Sequence, residues 1–245
     1  MSPSEKVKFI SNWIKSYVDN MPSKAEALVI GISGGIDSSV SSTLSAMTGL
    51  KTIVLSMPIK QKENQHDLSL KHQNWLVEKF KNVEAHTLNL DQLFNSFSST
   101  LNKFENEHGF ANSRARLRMA TLYQVAAANK GIVVGTGNKV EDFGVGFYTK
   151  YGDGGVDISP IADCNKTEVW ELGKELGILK EIIDAPPTDG LWDDGRTDEG
   201  QLGFSYKDLE DAMKNPDSPH KTEYEKIRKQ NLHKMEPIPV CKIPS

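Results

Sequence analysis

Ser33-Gly34-Gly35-Ile36-Asp37-Ser38-Ser39 is a segment whose residue types suit an anion. Its glycines let successive backbone N–H groups turn inward, and its serines add hydroxyl donors. Asp37 is out of place for direct phosphate contact, because like charges repel; its natural role is to hold Mg²⁺, which bridges to phosphate oxygens. The segment is neither Gly-x-x-x-x-Gly-Lys-Ser/Thr nor Gly-x-Gly-x-x-Gly, so a Walker-type loop and a dinucleotide fingerprint of that kind are excluded. On these residues alone, a helix entry rich in capping residues reads the same way. A second stretch begins at Val134-Gly135-Thr136-Gly137-Asn138-Lys139-Val140-Glu141 and continues through Lys150 to Asp153 and Asp157. Carboxylates and a lysine among glycines suit a metal and a charged substrate, and equally a solvated loop.

The elements that must position these residues follow from periodicity. Ile10, Trp13, Ile14, Tyr17 and Val18 have helical spacing and predict an opening amphipathic helix. The short apolar runs at 27–32, 52–57, 83–88 and 131–135 predict buried strands. Helical patterns fall at 38–47, 67–80, 93–104, 115–129, 166–176, 206–215 and 224–233. Strand and helix alternate, which predicts a parallel sheet covered on both faces. Both candidate segments then follow strands, along the edge where ligands of open α/β sheets gather. Residues 136–157 read as irregular, residues 185–200 as a long exposed loop of the kind used as a lid, and the proline-bearing tail from Glu236 to Ser245 as extended.

Composition sets the outer bounds. The chain has 245 residues, 38% hydrophobic and 25% charged, with a net charge of -4. That balance gives no general help with nucleic-acid backbones, so no nucleic-acid partner is expected. Cys164 and Cys241 lie far apart in no metal-type spacing, which fits a reducing compartment. No signal-type or membrane-spanning apolar run is visible. One domain over 1–245 and a cytoplasmic location are expected.

Ser-Gly-Gly-x-Asp-Ser after a strand resembles the pyrophosphate loop of the N-type ATP pyrophosphatases. Within that group, the second stretch is similar to the NAD synthetase signature, in which a strand ending in Gly-Thr is followed by a Glu and then by Phe-x-Thr-Lys-Tyr-Gly-Asp-Gly-Gly. Ala115-Arg116-Leu117-Arg118-Met119, Lys166-Thr167-Glu168-Val169, Pro187-Thr188-Asp189 leading to Thr197-Asp198-Glu199, and Leu232-His233-Lys234 agree in the same order. One departure is that Glu141 and Lys150 stand one residue further apart than in the common pattern.

The resemblance implies a doubly wound parallel five-stranded sheet with helices on both faces. It implies a C–N ligase, ammonia-dependent, that converts deamido-NAD, ATP and ammonia into NAD, AMP and pyrophosphate through an adenylated carboxylate. It assigns Gly31, Ile32, Ser33, Gly34, Gly35, Ile36, Asp37 and Ser38 to the ATP phosphates, with Thr136, Lys166 and Thr188 as further ATP contacts. It places Mg²⁺ on Asp37 and Glu141, and deamido-NAD on Arg116, Lys150, Asp157, His233 and Lys234. Lys166 would steady phosphate charge, and Asp153 would place or deprotonate ammonia. Arg116 and Arg118 have a second reading as solvated helix charges, Met119 and Tyr123 read as core rather than cofactor contacts, and Asp193, Asp194 and Asp198 read as solvated loop charges. Glutamine-using relatives carry an additional amidase domain, for which this chain has no room ahead of residue 33, so free ammonia is the expected donor. Family members are homodimers, with the opening helix and the Phe-rich helix at 93–104 as candidate contact surfaces. An RNA-modifying relative would show a basic extension, and a nucleotide sensor would not need both Asp37 and Glu141.

Overall fold

The computed structural model describes residues 1–60, 63–188 and 197–244, with only the backbone of 63–65. Asp189, Asp193, Asp194 and half of the loop expected at 185–200 lie outside the described residues. The chain runs α1 (Pro3–Asp19), β1 (Ala27–Gly31), α2 (Ile36–Met47), β2 (Lys51–Ser56), α3 (Glu63–Lys79), β3 (Val83–Thr87), α4 (Asp91–Thr100), α5 (Glu107–Ala128) and β4 (Gly131–Val133). It continues through a π-helical segment, Lys139–Val145, into α6 (Lys166–Leu176), α7 (Lys180–Ile183), α8 (Asp198–Leu202), α9 (Tyr206–Lys214) and α10 (Lys221–Met235).

The strands form one parallel sheet in the order β3-β2-β1-β4. Alternation along β1 explains its two buried faces. Leu28 and Ile30 point to the side covered by α1, α2, α3 and α6, whereas Ala27 and Val29 point to the side covered by α4 and α5. Among the described residues the sheet has four strands rather than the five expected. The chain after β4 returns beside it only as a bridge between Val134 and Ile158. Pro160, which has no N–H to donate, follows two residues later, so the pairing does not extend into a strand.

The order of strands creates the site. From β1 the chain moves outward through β2 and β3, then returns to the other side of β1 as β4. Connections leave β1 and β4 in opposite directions, which opens a crevice at their C-terminal ends. A third apolar cluster caps this end, joining Val140 and Val145 of the π-helical segment to Tyr206, Leu209 and Ala212 of α9 and Tyr224 of α10.

Between α2 and α3, His72 is fully buried, its Nε2 3.0 Å from Ser42 Oγ and its ring stacked on Trp75. Burial pushes the imidazole down to about 4. The folded state refuses a proton that the unfolded chain accepts near pH 6.5. Stability is therefore retained above that value and lost progressively as pH falls toward 4, by about 3 kcal/mol in all. His72→Gln is expected to flatten the dependence of urea-unfolding free energy on pH in that window; an unchanged slope would contradict this reading.

Candidate functional site

The loop after β1 is built to leave donors free. Gly34 has φ of 88°, a conformation that side chains resist, and it turns the chain so that Gly35 starts α2. No side chain caps that helix, so its first N–H groups face the crevice as an anion seat. Ser33 Oγ and Ser38 Oγ lie 3.1 Å apart, and Ser33 Oγ accepts from Gly35 N at 3.2 Å, which fixes the loop's shape.

Asp37 sits in the first turn of α2 and meets two groups from other elements. Lys166, first residue of α6, is placed by a capping box between Asn165 and Glu168. Its Nζ donates to Asp37 Oδ2 at 2.5 Å and to Glu141 Oε1 at 2.9 Å, with the lysine side chain only 2% exposed. Glu141 lies on the π-helical segment, capped by Asn138, whose Oδ1 accepts from the N–H groups of Val140 and Glu141. Asn138 Nδ2 also donates to Asp37 Oδ1 at 3.1 Å, so one buried amide ties both carboxylates together.

Charge is balanced closely here. Burial disfavours the Lys166 cation, but the Asp37 and Glu141 charges outweigh it and keep the ammonium protonated well above its usual range. Burial raises Asp37, only partly offset by Lys166. Burial also acts on Glu141, but Lys166 and the Tyr206 hydroxyl together hold it below the ordinary value. Two carboxylates around one cation titrate as a unit.

Asp37, Glu141 and Lys166 line one cavity of about 940 Å³, together with the loop after β1. It also takes in Gly31, Ile32, Ser33, Thr136 and Thr188, with Asp153, Arg116, Lys150, His233 and Lys234 toward the other end. There Arg116 donates to the Lys150 carbonyl, and Lys150 Nζ donates to the His233 carbonyl at 2.6 Å. Lys234 Nζ donates to the carbonyls of Gly146 and Tyr148 at 2.8 and 2.9 Å. Asp153 accepts from Thr149 N at 2.9 Å and so shapes the turn that carries it.

Asp157 departs from the expected set. It does not line the cavity; it accepts from Tyr123 Oη at 3.0 Å and from Val133 N at 2.7 Å, beside β4. Arg118 and Met119, by contrast, do line it, and Arg118 Nε donates to the Met57 carbonyl at 3.0 Å rather than standing in solvent.

Three groups at or beside the Asp37–Glu141 pair were not visible as site residues in the sequence. Asn138 precedes a helical turn, a position where asparagine caps, and that signal was available. Asp142 lines the cavity, its Oδ2 so near Gly137 that a Cβ there would fall 1.9 Å away. Burial, with the charges of Glu141, Asp153 and Asp37, pushes its carboxyl well above the ordinary range. The extra residue between Glu141 and Lys150 announced a local change, and the π-helical turn absorbs it. Tyr206 reaches Glu141 from 65 positions away, with no local signal in the sequence.

A protein-family model described as NAD synthase matches residues 6–243. An NH(3)-dependent NAD(+) synthetase of Carboxydothermus hydrogenoformans is 38% identical, over 84% of this chain and 83% of its own length. Another from Alkaliphilus oremlandii is 37% identical, over 96% of this chain and 95% of its own. Among solved structures, an NMN synthetase from Francisella tularensis superposes with a TM-score of 0.91 and 33% identity, covering 99% of this chain and 100% of that one.

Proposed function

The chain belongs to the NAD synthase family, and we propose that it amidates the nicotinate carboxylate of deamido-NAD with ammonia while ATP is cleaved to AMP and pyrophosphate. The observation that carries this is the uncapped start of α2 facing the Asp37–Lys166–Glu141 cluster across one cavity. A carboxylate resists nucleophiles because it is anionic and has no good leaving group. Its oxygen therefore attacks the α-phosphorus of ATP first, and pyrophosphate departs. Ammonia then attacks the carbonyl carbon, AMP leaves with the former carboxylate oxygen, and the nitrogen loses a proton.

Particular residues of the cavity suit each step. Backbone amides from Gly34 to Ser38 hold the departing diphosphate. Lys166 supplies a fixed cation beside it. Arg116, Lys150, His233 and Lys234 present positive or donor groups to the nicotinate-bearing substrate. Asp153 stands at the cavity edge to receive ammonia.

Asp37 and Glu141 fit a divalent cation. Their oxygens already converge on the Lys166 ammonium, which occupies a cation's place between them. An oxygen-only pair completed by phosphates and water is the usual environment of magnesium. Mg²⁺ held there would neutralise charge as pyrophosphate departs.

A second reading concerns substrate size. The similarity to an NMN synthetase favours nicotinate mononucleotide, the same carboxylate without the adenylate half. Incubation with ATP, Mg²⁺ and ammonium should yield AMP and pyrophosphate in equal amounts with one or both substrates. The ratio of kcat/KM for dinucleotide over mononucleotide selects the reading: above one supports the first, below one the second. No AMP with either would overturn both.

The same reading includes a homodimer acting in the cytoplasm. Phe9, Trp13 and Tyr17 form an exposed aromatic row on α1 that suits a subunit contact. Among the described residues no helix is long and apolar enough to cross a membrane. Sedimentation as a monomer at micromolar concentration would remove the dimer.

A further inference from the structure

Tyr206 does not touch the cavity, yet it is held more tightly than packing alone requires. It is the first residue of α9, whose entry is fixed by a capping box between Ser205 and Asp208. Its backbone N–H donates to Glu199 on α8 at 3.0 Å. The ring is 1% exposed and meets Trp170 of α6 edge-on, with centroids 5.8 Å apart. Lys166 Nζ stands 4.9 Å from the ring centroid. A phenol so constrained can place its hydroxyl in one position.

That position lies between two carboxylates. Tyr206 Oη is 2.5 Å from Glu141 Oε1 and 3.1 Å from Asp198 Oδ2. Asp198 opens α8 and, like Thr188, lines the cavity, and its own N–H donates to the Pro187 carbonyl at 3.0 Å. The hydroxyl has a single proton for two acceptors. The shorter contact gives it mainly to Glu141, with Asp198 as competitor. Hydrophobic packing of a phenyl ring explains neither contact, since phenylalanine would pack against Trp170 equally well and avoid burying a hydroxyl.

We propose that Tyr206 is a positioning residue for the cation site: its hydroxyl orients Glu141 toward a divalent cation and links that carboxylate to Asp198 at the start of α8. The inference rests on the reading of Asp37 and Glu141 as cation ligands. Partners that orient a ligating carboxylate from behind typically contribute ten- to hundredfold in metal affinity. Loss of the hydroxyl frees Glu141 to rotate toward Lys166 alone, whereas the substrate-binding end of the cavity is untouched.

The test uses Mn²⁺ as the probe, followed by electron paramagnetic resonance with α,β-methylene-ATP present. Tyr206→Phe is expected to raise the Mn²⁺ Kd about tenfold or more, with a melting temperature near the parent's. Its lost turnover should return as Mg²⁺ is increased, with KM for ammonium unchanged, a pattern that a merely structural defect does not give. Asp198→Asn, which removes the charge of the competing acceptor, should move the Mn²⁺ Kd at least about threefold. A Tyr206→Phe protein that melts normally and binds Mn²⁺ within about twofold of the parent would overturn the inference and leave the cation site standing. Should Tyr206→Phe not fold, an unchanged Kd in Asp198→Asn overturns it instead. Failure of the parent itself to bind Mn²⁺ would remove the cation site and this role together.

Discussion

Asp37→Asn is expected to lower kcat/KM at least about a thousandfold, equivalent to about 4 kcal/mol of lost transition-state stabilisation. Asparagine keeps the shape and can still accept from Asn138 Nδ2, which lies 3.1 Å from Asp37 Oδ1. It removes the charge that pairs with Lys166 at 2.5 Å and half of the carboxylate pair proposed to hold Mg²⁺. Catalysis of phosphoryl and nucleotidyl transfer depends on neutralising charge as the diphosphate leaves, so loss of either acid should act on kcat more than on the KM for the nicotinate substrate. The variant should melt close to the parent, because Lys166 keeps Glu141 as a buried partner at 2.9 Å. Parental turnover in a correctly folded Asp37→Asn protein would contradict the assignment. Steady-state kinetics with a melting curve on the same sample measures both.

Lys166→Met should be the most destabilising single change at the site. The side chain has nearly the same length, so packing against Trp170 and Tyr206 is largely kept. What is lost is the cation between two partly buried carboxylates, the only one that joins them among the described residues. An ion pair broken from one side in the interior costs about 3–5 kcal/mol, because the remaining charge has no compensation. The sign of the pH dependence follows. Without Lys166, Asp37 and Glu141 both rise above their unfolded values, so the folded state binds protons more tightly than the unfolded one. Stability of the variant should therefore increase as pH falls from 7 toward 5 and decrease as pH rises. Added Mg²⁺ should restore part of the loss at neutral pH by taking the ammonium's place. Denaturant unfolding with and without Mg²⁺ at two pH values checks all of this, and a variant as stable as the parent in chelator at pH 7 would contradict it.

Much of the fold was legible because period and punctuation agree. Alternating short apolar runs and helical stripes give a parallel sheet, and the glycine loop after Ala27–Gly31 lies where that architecture puts ligands. That the sheet stops at four strands among the described residues was not legible, because whether residues 156–158 pair as a strand or a single bridge depends on the neighbouring Pro160 and on β4 being three residues long. The start of α5 at Glu107 was missed by eight residues; Gly109 in its first turn weakens the helical pattern, while Asn106 caps it by accepting from Gly109 N at 2.7 Å.

At the site, local motifs marked the phosphate loop, Glu141 and Lys166, and the structure brings them within hydrogen-bonding distance. Long-range partners carry no such mark. Tyr206 looks like any helix-opening aromatic until α9 is seen folded against α6. Asp157 was named by the resemblance alone, and its contacts could not be read from sequence: its carboxylate accepts from Tyr123 Oη and from the Val133 N–H beside β4. The spacing between Glu141 and Lys150 falls on a wider, π-helical turn over Lys139–Val145, closed by Gly146 with φ of 68°.

The central claim is that the acceptor carboxylate itself attacks the α-phosphorus before nitrogen arrives. Nicotinate substrate carrying ¹⁸O in both carboxylate oxygens tests it in one turnover with ATP, Mg²⁺ and ammonium. One labelled oxygen should appear in AMP and the other should remain in the amide product. Label absent from AMP, or present in pyrophosphate, would contradict the account.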